Sequence, residues 1–290
     1  MVDLHIHTDA SADGQHSPME IFTMSRALGL RCVAFADHNT LASLAQGFVL
    51  ARETGVEFIP AVEINTELNG VDIHLLGYGV DPFDEQTRLW FDEIATVFAD
   101  VARRRTQRFN ELGLELTWER VNRHAGGKMP TASSFYEAIV ENPLNHHHPL
   151  IEPYRTGPQS DNRYVHFYFE VLANGGPADI GDAALPVLDV IARLRALRIV
   201  PVVAHPRELS EAALREMIAA GLLGVEAYCS YHDAAQGAHW RGLTDRYGLL
   251  YTTGSDFHGR AIKPAVKLGE IEHNDYIVAR RLREAIAALA

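Results

Sequence analysis

Cysteine is nearly missing from this chain, and so is any run of positive charge. Only Cys32 and Cys229 occur among 290 residues. That is too few for a disulfide framework, and the spacing is not that of a thiolate zinc site. Cys32 lies in an apolar segment and reads as core. Lys and Arg number 26 against 38 Asp and Glu, a formal net charge of −12. No lysine-rich tail or basic stripe offsets this, so duplex nucleic acid, held through many phosphate contacts, is not an expected partner. A small phosphorylated ligand stays open, because bound divalent cations can reverse a local field. No apolar run is long enough to span a bilayer, and no basic, apolar, small-residue leader opens the chain. The expectation is a cytoplasmic protein with no membrane partner; the sequence sets no oligomeric state.

What the chain has is short apolar segments. Arg31–Ala36, Val56–Val62, Asp72–Leu76, Ile199–Ala204, Gly224–Ala227 and Leu249–Thr253 are rich in β-branched residues and bounded by polar ones, as buried strands are. Helical apolar spacing fills 18–29, 41–54, 183–197, 210–220, 234–247 and 275–289. Ser17 is the natural N-cap of the first, with Pro18 in its first turn. Strand–helix alternation of this kind predicts a parallel α/β sheet, closed as a barrel or doubly wound. The alternation breaks between 84 and 182, where a long helix carries Leu89, Ile94, Val97, Phe98, Val101, Phe109 and Leu112 on one stripe. Residues 141–165 show no period and hold four prolines, the mark of a functional or mobile loop. The expected division is a barrel from 1–83 and 183–290, with 84–182 inserted as a mostly helical cap.

Residues suited to metal binding fall at strand ends. The segment at residues 2 to 8 places His5 and His7 two apart on one strand, so both imidazoles share a face. Asp13 follows in the loop, with Asp9 as a rival. The next strands lead into Asp37 and His38, then Glu63; DIHLL carries His74, and the last two of the series run into His205 and into Asp256 and His258. In parallel α/β folds that end is where loops converge on a site. A lone HxH pair arises often by chance, but scattered histidines would not respect strand ends. Asp37 reads better as orienting His38 or capping the next helix than as a ligand. The run His146–His148 has the composition of a metal tract but no partner carboxylate, so a solvated or substrate-facing role is expected.

The motifs LHIHTDASADG, FADHNT, PAVEIN, DIHLLGYGVD, VVAHP and GSDFHG, in that order across residues 2 to 259, resemble the PHP family, named for its polymerase and histidinol-phosphatase members. The resemblance implies a distorted (βα)7 TIM-like barrel carrying two or three divalent metals. It implies His5, His7, Glu63 and Asp256 around one ion, Glu63 bridging to a second held by His74 and His205, and Asp13, His38 and His258 around a third. Imidazole with carboxylate and no thiolate suits Mn²⁺, Zn²⁺ or Fe²⁺ rather than a closed structural zinc, and Mn²⁺ is the ion expected first. GYGVD, and GSDFHG followed by KP, further resemble small bacterial phosphoesterases acting on nucleotides and related phosphates.

The activity this implies is hydrolysis of a small phosphorylated substrate, a phosphomonoester or cyclic phosphodiester of a nucleotide or sugar. Metal-activated water is expected rather than a covalent intermediate, since no GxSxG or reactive cysteine is present. His205, His258 and Asp256 are the candidates for protonating the leaving oxygen. Nucleotide-acting relatives carry an RPH-like motif in the insertion, but here the matching stretch reads KMPTAS and its arginine is missing. Arg155, Arg163, Arg207 and Lys128 are the candidate replacements, while Arg103–Arg105 reads as a solvated helix face. Glu226 and Tyr228 are further candidates for substrate contact. The alternative is a non-catalytic, accessory metal-binding module, which would be expected to have lost ligands; all nine positions keep competent side chains. Carbon-centred hydrolysis in an amidohydrolase-like barrel would call for a bridging lysine after a middle strand, and none is offered there.

Overall fold

The computed structural model describes residues 1–180, 185–207 and 209–290. Its strands are β1 (Val2–Ile6), β2 (Cys32–Phe35), β3 (Glu57–Leu68), β4 (Val71–Tyr78), the two-residue β5 (Leu185–Pro186), β6 (Val200–Val203), β7 (Gly224–Cys229) and β8 (Leu250–Gly254). They pair in the order β1-β2-β3-β4-β6-β7-β8, with β5 on β3. The circle closes where Asp256 N–H donates to His5 O and His7 N–H to Phe257 O, each at 2.9 Å. The result is the seven-stranded α/β barrel expected.

One strand departs from the parallel reading. β4 runs antiparallel to both β3 and β6. The cause is Asn69-Gly70, a two-residue turn with φ of 53° and 77°, the sequence that best tolerates a tight hairpin and leaves no room for a crossover helix. His74 therefore reaches the end of the barrel that carries Glu63 from the first half of its strand, opposite Asn65.

Alternation along the strands separates two cores. Val33 and Phe35 of β2 pack outward with the helices α1 (Pro18–Ala27) and α2 (Leu44–Thr54). Cys32 and Ala34 join Leu4, Ala61, Leu76 and Val202 from neighbouring strands, with Val278 and Leu282 of the C-terminal helix. Small residues on that face let a seven-stranded barrel close around its own side chains. α1 starts as expected, with Ser17 and Glu20 forming a capping box.

The insertion is helical: α3 (Glu85–Glu111), α4 (Trp118–His124), α5 (Ala132–Val140), α6 (Glu152–Arg155) and α7 (Arg163–Phe167), the last running into a π-helical turn at Tyr168–Leu172. A third apolar cluster is drawn wholly from residues 102–178. α3 serves both bodies, since Trp90, Phe91, Ile94 and Phe98 pack on the barrel core. The stretch 141–165 is not a bare loop, because its prolines open short helical turns. His146 and His148 neither face a ligand nor lie free. They donate to Val140 O and Leu112 O, tying off carbonyls at the ends of α5 and α3. Helices α8 (Val187–Ala196), α9 (Glu211–Ala220), α10 (Ala234–Tyr247) and α11 (Tyr276–Leu289) complete the barrel; residues 183 and 184, expected to open α8, lie outside the described residues. Among the described residues no helix is long and apolar enough to cross a membrane.

Candidate metal centre and active site

At one end of the barrel the nine singled-out side chains come together. His5 Nε2 and His7 Nε2 stand 3.1 Å apart. Glu63 Oε2 lies 3.2 Å from the first and 3.1 Å from the second, and Asp256 Oδ1 lies 3.5 Å and 3.2 Å from them. Ligand atoms bound at ~2.1 Å in a tetrahedron sit roughly 3.4 Å from one another, so four donors are already spaced around one ion. Glu63 Oε2 and Asp256 Oδ1 are buried and accept no hydrogen bond, a costly state for carboxylate oxygens that a cation would relieve. The residues fit a divalent metal.

Glu63 faces a second group with its other oxygen. Oε1 lies 2.8 Å from His74 Nδ1 and 2.9 Å from His205 Nε2. A third group gathers His7, Asp13, His38 and His258, with Asp13 Oδ2 3.7 Å from His38 and 3.8 Å from His258. Asp13 Oδ1 and His38 Nδ1 are again buried without a hydrogen bond. Asp9 is exposed, which removes it as a rival.

The surrounding shell is built to hold these rings still. Glu226, fully buried, accepts from His5 Nδ1 at 3.1 Å and from the His205 backbone N–H at 2.9 Å. It therefore sits behind the ligands rather than in the cleft, and Tyr228 packs against His273 and Tyr251, not where substrate contact was expected. Asp37 accepts from Thr8 N–H, Thr8 Oγ1, Ser11 Oγ and Ser43 Oγ, and Ser11 Oγ in turn accepts from His38 N–H. Asp37 is thus the clasp between the first two strand-end loops. His205 and Asp256 hold positive φ values of 24° and 56°, backbone strain of about 1–3 kcal/mol each that sites of this kind retain.

Electrostatics divides the histidines. Burial disfavours the charged form of His7, yet the carboxylates of Asp256 and Glu63 outweigh it and raise its pKa to about 8. Burial likewise opposes charge on His74, but Asp72 and Glu63 raise it to about 9. His38 and His258 go the other way: burial, and neighbouring cations, hold both well below the ordinary value, as neutral imidazoles. Burial works against ionised Glu63 and Asp256, but the adjoining histidines, and Lys263 for Asp256, keep both well below the usual carboxylate range. Asp256 is thereby a fixed anion and a poor proton donor. Burial pushes the Cys32 thiol up to about 12 and Cys229 also upward, leaving neither as a thiolate nucleophile.

A cleft opens between the cluster and the insertion. The four cations considered for it from sequence do not line it. Arg155 donates to His146 O and Arg163 to Ser160 O, each turned into the insertion's own backbone. The Lys128 ammonium bonds Asp9 O. Exposed Arg207 stacks on Phe169, 4.4 Å from its ring centre, beside Tyr231. The cations that do line the cleft are Arg105 and Lys263. Arg105 is no solvated helix residue: it donates to Leu172 O and Ala178 O. Its signal was the spacing 98, 101, 105, 109, which puts it on the apolar stripe of α3. Lys263 Nζ lies 2.5 Å from Asp256 Oδ2; the KP after GSDFHG was its only trace. Tyr168 was also missed, its hydroxyl 2.6 Å from Asp72 and 3.0 Å from His74 Nε2.

The chain is similar to known proteins over most of its length. The sequence profile of the PHP domain matches residues 3–188. A 3′,5′-nucleoside bisphosphate phosphatase of Chromobacterium violaceum is 25% identical over 263 residues, 89% of this chain and 87% of that protein. A phosphoribosyl 1,2-cyclic phosphate 1,2-diphosphodiesterase of Eggerthella lenta is 26% identical over 288 residues, 93% of this chain and 96% of its own length. Among solved structures, a candidate metal-dependent phosphoesterase from Bifidobacterium adolescentis matches with a TM-score of 0.76 and 25% identity, over 98% of this chain and 96% of that one.

Proposed function

This chain belongs to the PHP domain family, and on that premise we propose that it is a metal-dependent phosphoesterase acting on a small phosphorylated substrate. The observation that carries the reading is the convergence of four buried donor atoms at 3.1–3.5 Å with two carboxylate oxygens left unbonded. His5, His7, Glu63 and Asp256 would hold one ion, Glu63 with His74 and His205 a second, and Asp13, His38 and His258 a third. The nitrogen and oxygen donor set, without thiolate, accommodates Mn²⁺, Zn²⁺ or Fe²⁺, and Mn²⁺ is the ion proposed for the first reconstitution. Divalent ions held there would lower the pKa of water and neutralise phosphoryl oxygens.

The chain's own residues supply the rest. Glu226 and Asp37 fix the ligand loops, so the donors need little reorganisation when charge develops. His205, at the rim of the cleft and 15% exposed, is the residue best placed to pass a proton to the leaving oxygen; Asp256, held ionised, acts as a ligand. Within the insertion, the described residues between Phe98 and Asp179 supply the far wall of the cleft and cap it. The substrate class is a phosphomonoester or cyclic phosphodiester of a nucleotide or sugar, the chemistry named in the two relatives.

The test is phosphate release by Mn²⁺-reconstituted protein from nucleoside monophosphates, nucleoside bisphosphates, sugar phosphates and cyclic phosphodiesters. Turnover on at least one, lost in His7→Ala, is expected. Metal-loaded protein that turns over none of these classes would contradict the reading.

A further inference from the structure

A phosphate ester calls for a cation beyond the metal ions; the motif arginine is missing, Arg155, Arg163 and Lys128 are taken up by backbone carbonyls, and exposed Arg207 lies at the cleft's edge against Phe169 and Tyr231. We propose that Lys263 is the phosphate-binding cation, delivered by the barrel loop after β8 instead of by the insertion. This rests on the phosphoesterase reading and names a residue for it.

Three observations carry the assignment. First, position: Lys263 lines the same cleft as Asp13, His38 and His258 and is only 13% exposed. Its ammonium bonds Asp256 Oδ2, while Asp256 Oδ1 is the oxygen turned to His5 and His7. One carboxylate thus separates the ammonium from the donors that would hold the first ion, so a phosphoryl group brought to that ion would lie beside a fixed positive charge. Second, valence: an ammonium carries three donors, and Asp256 takes one. Third, preorganisation: Lys263 N–H donates to Gly259 O, and Gln15 Oε1 accepts from Ala261 N–H in the same turn. Gly259 has a φ of +92°, and a Cβ there would come within 2.4 Å of the Gln15 side chain. The loop bearing Lys263 is therefore locked to the loop that follows the HxH strand, and the side chain packs beside Tyr231, 5.3 Å from its ring centre.

A lysine here differs from the arginine of the RPH-like motif in chemistry as well as origin. It acts as a point charge rather than a bidentate fork, so it suits a phosphoryl group already oriented by metals.

The probe is inorganic phosphate binding to Mn²⁺-loaded protein by calorimetry, with metal content measured in each sample. Lys263→Met is expected to weaken phosphate binding about tenfold to a hundredfold, the range of one lost charged hydrogen bond, at unchanged metal content. Lys263→Arg, which restores the charge, is expected to stay within about threefold of wild type. Lys263→Met binding phosphate as wild type does would overturn the assignment while leaving the phosphoesterase reading intact. Metal-loaded wild type that binds no phosphate would overturn both. If Lys263→Met does not fold or hold metal, wild type decides: phosphate must protect Lys263 from reductive methylation, read by mass spectrometry, and equal labelling with and without phosphate refutes the proposal.

Discussion

At the scale of single residues, the centre packs imidazoles against buried carboxylates. His7 and His74, with pKa values of about 8 and about 9, lie above the ordinary 6.5. A raised histidine stabilises the fold fully below 6.5 and loses that contribution as pH climbs through the raised value. For His7 this amounts to about 2 kcal/mol. Metal ions need the neutral rings, so binding expels these protons and strengthens with pH. Melting curves of EDTA-stripped and Mn²⁺-loaded protein between pH 6 and 9.5 should therefore diverge, with the stripped protein weakening as pH rises and the loaded protein holding. Two parallel curves would show that these imidazoles do not exchange protons for metal.

At the scale of elements, the site depends on how closely β8 approaches β1. A Cβ on Gly254 would sit 2.2 Å from His5 Cβ and 2.6 Å from the Glu226 carboxylate. Gly254→Ala must push the closing strand away from the ring it supports, and overpacking of this kind costs about 1–3 kcal/mol or more. Expected are a lower urea midpoint and fewer than two metals per chain; wild-type metal content would mean the seam is slack. The same seam explains what could be foreseen. His5, His7, Glu63, His205 and Asp256 stood at strand ends, where period-2 alternation and fold chirality leave few choices. The direction of β4 was equally legible in Asn69-Gly70 but was overridden by the alternating pattern around it. Lys263 and Arg105 were harder, because a cation shows no sign in sequence of whether its loop or helix face turns inward. Arg155 and Arg163 illustrate the converse: both stand in an aperiodic stretch, and both donate to backbone carbonyls of that same stretch.

At the scale of the molecule, the barrel supplies the nine clustered side chains and Lys263 beside them, and the insertion supplies the opposite wall. α3 couples the two, packing Phe98 on the barrel core and Phe109 in the insertion's own cluster. Arg105 lies between them and pins the π-helical turn that carries Tyr168 toward His74. The wall and the centre are therefore joined by direct packing and hydrogen bonds.

The most direct test is a metal titration of EDTA-stripped protein, following phosphate release against Mn²⁺ bound per chain. Activity should be absent without metal and should rise only as the second site fills, since Glu63 places its two oxygens at adjacent positions. Full turnover in protein shown to hold no metal would contradict the assignment of these nine side chains as a catalytic metal centre.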